Sequence, residues 1–250
     1  MRVAALYDIH GNLPALEAVL GKVRQSGVDR IVVGGDVVPG PMLGEVLACL
    51  LDLDVPVDFI QGNCEVAVLA EMAGFAPAPM PEQARAIVRW TARQLSPEQG
   101  RLLASWPKTR SLDIEGLGSV MFCHATPRHD NEIFTRLTPE ERLRPLFEGL
   151  PVSAVICGHT HMQFDRIVGT TRVVNAGSVG MPFGAPGAYW LLLGPDVRLQ
   201  HTPYDLAAAA DRILATQYPQ AQDFATNNVL KPPSEESMLE ALARAEVRFQ

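Results

Sequence analysis

Five short polar clusters hold the residue types in this 250-residue chain that could do chemistry: Asp8-Ile9-His10-Gly11-Asn12, Gly35-Asp36, Gly62-Asn63-Cys64-Glu65, Cys123-His124 and Gly158-His159-Thr160-His161. Asp8 and His10, two apart on a loop, can grip one metal ion from the same side, and His159 and His161 repeat that spacing. Asp36 follows an apolar run and can join two ions through its two oxygens. Asn63 offers a neutral carbonyl oxygen, which adds no negative charge against an incoming phosphate. The set amounts to two carboxylates, four imidazoles (His124 completing them) and one amide. Imidazole-rich sets favour Mn, Fe, Zn, Co or Ni over Mg or Ca. Two such ions about 3.5–4 Å apart clamp a phosphoryl group and generate hydroxide at neutral pH. Each cluster alone says little, since Asn after Gly is commonly a turn and a lone His is commonly structural. All five in order at the ends of β-rich runs are not what composition alone produces.

Short β-rich runs alternate with helical patterns, which reads as an α/β fold. Strands are expected at Val3–Tyr7, Ile31–Val33, Val57–Ile60, Ser119–Cys123, Ala154–Cys157, Thr171–Val174, Tyr189–Leu193 and Val197–Thr202. Leu16, Val19, Leu20 and Val23 recur at helical spacing, so Leu13–Val23 reads as a helix, with Asn12 as its N-cap and Pro14 in its first turn. Leu43–Leu51 reads as a second helix. Pro81-Glu82 and Ser96-Pro97-Glu98 read as helix starts within a helical insertion at about 66–110. C-terminal helices are expected at about 205–250, at Leu206–Leu214 and Ser237–Val247, with a loop around Asn227–Ser234. Sites in open α/β sheets form beyond the carboxyl ends of strands, so the five clusters should converge there.

The chain reads as one domain over 1–250, since 47% hydrophobic content suffices for one sizeable core. A net charge of −7 with scattered Lys and Arg argues against a stable nucleic-acid partner. It leaves room for a small phosphorylated substrate, because bound metals supply local positive charge. Cys49, Cys64, Cys123 and Cys157 form no C-x-x-C pair, so they read as free thiols in a reducing compartment. With no signal-peptide pattern and no membrane-length apolar run, a cytoplasmic protein is expected.

On these clusters the sequence resembles the calcineurin-like metallophosphoesterases, whose pattern runs D-x-H, G-D, G-N-H-D/E, a His after a strand, and G-H-x-H. Short bacterial and archaeal members of phosphodiesterase type are most similar, and Asn175-Ala176-Gly177-Ser178-Val179-Gly180 matches their late element. The resemblance implies a sandwich of two mixed β-sheets flanked by helices. It implies that Asp8, His10 and His161 hold one divalent ion, that Asp36 bridges, and that Asn63, His124 and His159 hold the second, with Mn first among the candidate metals. A hydroxide bridging the ions would then hydrolyse a phosphodiester or phosphoanhydride, with Asp36, Asn63 and His124 as catalytic residues.

One position departs from the family pattern. Cys64 stands where many members have a His, which the resemblance implies protonates the leaving group or steadies the phosphoryl oxygens. A thiol with an ordinary pKa of ~8.5 and weak hydrogen bonds replaces it poorly, which favours a good leaving group. Asn12, Arg128 and His129 are candidate substrate-binding residues: Arg128 as a bidentate phosphate ligand or a surface Arg paired with a neighbouring carboxylate, His129 as a substitute proton donor or an exposed loop residue, Asn12 as a phosphate contact or only a helix cap. Phe183 could stack on a base or pack on the core, and Glu65 reads as orienting its loop. The competing readings are a phosphomonoesterase or phosphoprotein phosphatase, against which Cys64 counts, and a non-catalytic metal-binding scaffold, against which the complete ligand set counts. The helical insertion and the C-terminal helices are the expected surfaces for a homo-oligomer.

Overall fold

The computed structural model describes residues 1–76 and 78–246. Ten strands form two five-stranded mixed sheets. The first sheet is built from β1 (Val3–Leu6), β2 (Arg30–Val33), β3 (Val57–Phe59), β9 (Ala188–Leu193) and β10 (Val197–Thr202), in the order β10-β9-β1-β2-β3. The second holds β4 (Thr109–Ile114), β5 (Gly118–Cys123), β6 (Ala154–Cys157), β7 (Phe164–Val168) and β8 (Thr171–Asn175), in the order β4-β5-β6-β8-β7. β1, β2 and β3 run parallel, as do β5, β6 and β8, so the strand ends that carry the polar clusters point one way within each sheet.

Alternation along the strands explains how the sheets stack. Val3, Ala5 and Tyr7 face one way and pack with Val32, Ile60 and Leu191 against Val120, Phe122, Ile156 and Val174 of the other sheet. Ala4 and Leu6 face the opposite way, against α1 (Leu13–Ser26) and α2 (Leu43–Leu51). With both faces covered, β1 is buried along its whole length, which is why it reads as a continuous apolar run. The second sheet is covered on its outer face by α6 (Glu140–Phe147) through Leu143, Leu146 and Phe147.

The helical insertion comprises α3 (Asn63–Met72), α4 (Glu82–Gln94) and α5 (Pro97–Ser105). It ends before the expected boundary, because Thr109 and Arg110 already belong to β4. That edge strand is largely exposed and polar, so it carries no apolar pattern that sequence reading could detect. β7, the other edge of its sheet, and α6, with Pro145 inside it, were not anticipated either. The insertion is not a detached lid: Val88, Leu95, Leu103 and Trp106 pack into the same cluster as α1 and α2. Ile87 joins it to α7 (Leu206–Leu214), α8 (Ala221–Phe224) and the π-helix Ala225–Leu230.

That π-helix corrects the loop expected around Asn227. Lys231 N–H donates to Thr226 O across five residues, the wide-turn pattern, and the polar run Thr226-Asn227-Asn228 gave no helical periodicity to read. The last helix, α9 (Glu235–Ala245), starts two residues before expectation, and Val247 lies outside the described residues. Among the described residues, no helix is long and apolar enough to cross a membrane.

Candidate metal centre

The loops after β1, β2, β5 and β6, and the first turn of α3 after β3, bring all five clusters together. Beyond the strands the pairing continues: Asp8 N–H donates to Gly35 O at 3.2 Å, and His10 N–H to Asp36 O at 2.9 Å. Five described non-glycine residues have positive φ: Asp8, His10, Asp36, His159 and His161, at 46–68°. All five are expected ligands. The left-handed region is costly for residues with a Cβ and persists where the surroundings over-determine it, typically at functional sites. Gly62 and Gly158 show how tight the surroundings are, since a Cβ at either would collide with a carboxylate, that of Asp36 or of Asp8.

Asp8 Oδ1 lies 3.3 Å from His161 Nε2 and 3.9 Å from both His10 Nε2 and His124 Nε2. The two oxygens of Asp36 reach different imidazoles, Oδ1 to His124 Nε2 at 3.5 Å and Oδ2 to His10 Nε2 at 3.7 Å. His10 Nε2 and His161 Nε2 face each other at 3.3 Å, and His124 Nε2 lies 2.9 Å from Asn63 Oδ1. The His159 ring meets that of His124 at 5.2 Å between centroids. Three sets of candidate ligand atoms each lie within 4.8 Å of one another: Asp8, His10 and His161; Asp8, Asp36 and His124; and His10, Asp36 and Cys64.

These residues fit a metal ion on the state of their own atoms. Asp8 Oδ1 and His159 Nε2 are buried and have no hydrogen-bond partner among the described residues. Buried polar atoms are normally satisfied, so two orphans facing a cluster of carboxylates and imidazoles mark places for a cation. Charges follow the same logic. Burial raises the Asp8 and Asp36 carboxyls, but the imidazoles outweigh it, His161 and His124 for Asp8, His124 and His10 for Asp36, and hold both below the usual range. Burial, reinforced by neighbouring imidazoles, pushes His10 and His159 down to about 4. For His124 burial is overcome by Asp36 and Asp8, which lift it to about 10, and Asp8 likewise raises His161.

A family model, described as the calcineurin-like phosphoesterase superfamily domain, matches residues 1–194. The chain belongs to that superfamily. An uncharacterised protein of Methanocaldococcus jannaschii is 26% identical over 239 residues, covering 87% of this chain and 94% of its own. Among solved structures, a metallophosphoesterase from Sphaerobacter thermophilus is 25% identical with a TM-score of 0.70, over 90% of this chain and 97% of its own. A hypothetical protein from Pyrococcus horikoshii shares the fold at 20% identity, with a TM-score of 0.77 over 93% and 99% of the two chains.

In this phosphoesterase the ligands are held by partners of their own. Glu65, fully buried, accepts four backbone N–H groups: Asp36 at 2.8 Å and Gly62 at 2.7 Å on Oε2, Val37 at 2.8 Å and Val38 at 3.1 Å on Oε1. It thereby ties the Asp36 loop to the turn that carries Asn63, as expected for a loop-orienting residue. Burial and the Asp36 charge push its carboxyl up to about 7 against the pull of those amides. His124 Nδ1 lies 2.9 Å from Gly34 O and His161 Nδ1 2.7 Å from Met181 O, which leaves Nε2 of each ring facing the carboxylates. Asn175 donates to Gly158 O at 2.6 Å and Thr160 Oγ1 at 3.1 Å, and Ser178 Oγ donates to Asp8 O at 2.8 Å. Residue typing missed these two supports, and the late N-A-G-S element is the signal that carried them.

The substrate-binding candidates fare differently. Asn12 is fully buried and committed: its Oδ1 accepts from Ala15 N at 3.2 Å, and its Nδ2 donates to Gly180 O at 2.9 Å and Tyr204 OH at 3.4 Å. It is a helix cap that also ties down the late loop, and this corrects its expected contact with phosphate. Arg128 and His129 line one crevice with His124, Lys108 and Thr109. The Arg128 Nε donates to Glu132 at 2.8 Å, and Glu132 is in turn bonded by Thr126. His129 is exposed, with Nδ1 taken by Asn131 N–H at 3.1 Å. Cys64 sits at the cleft, its N–H donating to Asp36 Oδ1 at 2.9 Å, and burial and the Asp36 charge push its thiol well up.

Proposed function

We propose that the chain hydrolyses a phosphodiester or phosphoanhydride in a small nucleotide-type substrate, using two divalent transition-metal ions, Mn first among them. The observation that carries this reading is the pair of orphaned buried atoms, Asp8 Oδ1 and His159 Nε2, beside a cluster that also holds Asp36. Asp8, His10 and His161 would hold one ion and Asn63, His124 and His159 the other. Asp36 would serve both, since its two oxygens already reach imidazoles from each set. Ions bound there supply Lewis acidity toward a phosphoryl oxygen and acidify water.

The side chains decide the leaving group. The Cys64 thiol, held protonated by burial and by Asp36, is a weak hydrogen-bond donor where a strong acid would be needed for a poor leaving group. His129 is exposed on its crevice, and its Nε2 is the nitrogen left to offer a substrate. Arg128, braced by Glu132, presents its charge on the same crevice. A diester or anhydride with a stable leaving group suits this arrangement.

The test is hydrolysis of a chromogenic aryl diester beside its monoester, on metal-stripped protein given Mn, Ni, Co, Zn or Mg in turn. Metal-dependent turnover with diester preferred is the expected result. A monoester preference would make it a phosphomonoesterase, and no turnover with any metal would leave the scaffold reading.

A further inference from the structure

Phe183 is a large apolar residue that packing does not explain. It belongs to none of the four apolar clusters. Its one ring partner among the described residues is His161, with centroids 5.3 Å apart and planes 25° from parallel. The ring is partly exposed and lies against His161, a member of the carboxylate and imidazole cluster. Its loop is pinned at both ends. Met181 N–H donates to Ser178 Oγ at 2.8 Å, and Gly184 N–H donates to Pro233 O at 2.8 Å. Between these bonds, the Met181 carbonyl holds the ring of His161.

A partly exposed phenyl ring on a fixed loop is a preformed stacking surface, because little side-chain or loop freedom remains to be lost on binding. The site reads as phosphate-directed on one side of the His161 ring and aromatic on the other. One imidazole separates Phe183 from the metal-facing nitrogen of His161, and one ribose separates a nucleobase from its phosphate. We propose that Phe183 is a specificity residue that stacks the base of a nucleotide while the phosphate enters the metal cleft. This rests on the phosphate-hydrolysing reading above and narrows its substrate class to base-bearing phosphates.

The experiment reads binding, so it does not depend on turnover. Mn-loaded protein is titrated with adenosine 5′-monophosphate and with ribose 5-phosphate, which presents the same phosphate without the base. The nucleotide should bind about tenfold more tightly, the size of one base-on-aromatic stack. Phe183→Ala should erase that advantage while leaving ribose 5-phosphate unchanged, and Phe183→Trp should keep it. Equal affinity of the two probes for the unmodified protein would overturn the proposal. So would an equal weakening of both probes in Phe183→Ala and in the milder Phe183→Leu, which would make the ring a mere support for His161. A base preference without hydrolysis of any diester would uphold the stacking surface and sink the reaction instead.

Discussion

Replacing Glu65 by Gln tests whether the cleft is held open from behind. The carboxylate accepts from four backbone amides, two on each oxygen. Gln keeps one acceptor oxygen and turns an NH2 group toward the other two donors. Each stranded buried donor costs about 1–3 kcal/mol, so the loss lies near 2–6 kcal/mol. The neutral amide also removes the repulsion from Asp36 that raises the Glu65 carboxyl, which brings the net loss to about 2–4 kcal/mol. Against a typical total of about 5–15 kcal/mol this is large, and it corresponds to a fall in melting temperature of roughly 5–15 °C. The assay is thermal unfolding of metal-stripped protein, with metal content and aryl-diester turnover measured on the folded fraction. Metal content should fall as well, because either stranded pair lies in the Asp36 loop or joins it to Gly62, next to Asn63. A change within about 0.5 kcal/mol would refute the bonding argument. A destabilised variant that still loads its full metal would refute the claim that Glu65 aims the ligands.

Asp36→Asn should abolish both activity and metal loading, since Asp36 is the carboxylate that reaches imidazoles of both sets; a fully active variant would sink the two-ion reading. Cys64→His should raise monoester turnover relative to diester turnover by supplying an acid, and an unchanged ratio would show that Cys64 does not set the leaving group. Metal binding should release protons at pH 7. A metal ligand must be unprotonated, and His124, raised to about 10 by Asp36 and Asp8 over the opposing effect of burial, carries a proton in the metal-free protein, whereas His10 and His159, at about 4, do not. Affinity should therefore climb with pH until about 10. Calorimetry in two buffers of different ionisation enthalpy reads the protons, and identical heats would contradict the argument.

The parts that could be read directly were those written in periodic apolar residues or in ligand chemistry. β1, β2 and β6 are buried on both faces and stand out as apolar runs, and α2 falls on its expected bounds for the same reason. The Ser96 cap was visible because the capping box has a local signature: Ser96 Oγ accepts from Gln99 N–H while the Gln99 side chain accepts from Ser96 N–H. What stayed hidden was whatever a distant partner decides. β4 is a strand because β5 offers it a ladder, although its own residues are mostly exposed. Asn12 looked equally like a cap and a phosphate contact until Gly180 and Tyr204, far along the chain, claimed its amide. Between a stack on a base and packing on the core, the sequence could not choose for Phe183, because the ring it meets lies on another loop.

The ligand motif itself concealed a conformation. Written as D-x-H, it places two side chains two residues apart, about 6–7 Å along the chain were the backbone extended. The structure instead bends both residues into the left-handed region, which brings His10 Nε2 within 3.9 Å of Asp8 Oδ1. The same bend recurs at His159 and His161 and at Asp36. At about 1–2 kcal/mol each, five such residues cost on the order of 5–10 kcal/mol, comparable to the net stability of a whole domain. The fold can carry that load because the bent loops hang directly from strands buried between the sheets, and because the bends at Asp8, His10 and His159 are locked by bonds from other loops. His10 is held by Asp36 O, Gly180 N–H by Asp8 O, and His159 N–H by Asp8 Oδ2. That last bond occupies one Asp8 oxygen and leaves the other without a partner, aimed at three imidazoles. The strain and the orphaned oxygen meet at one residue, and a cation bound beside Asp8 would satisfy the atom that folding leaves unsatisfied.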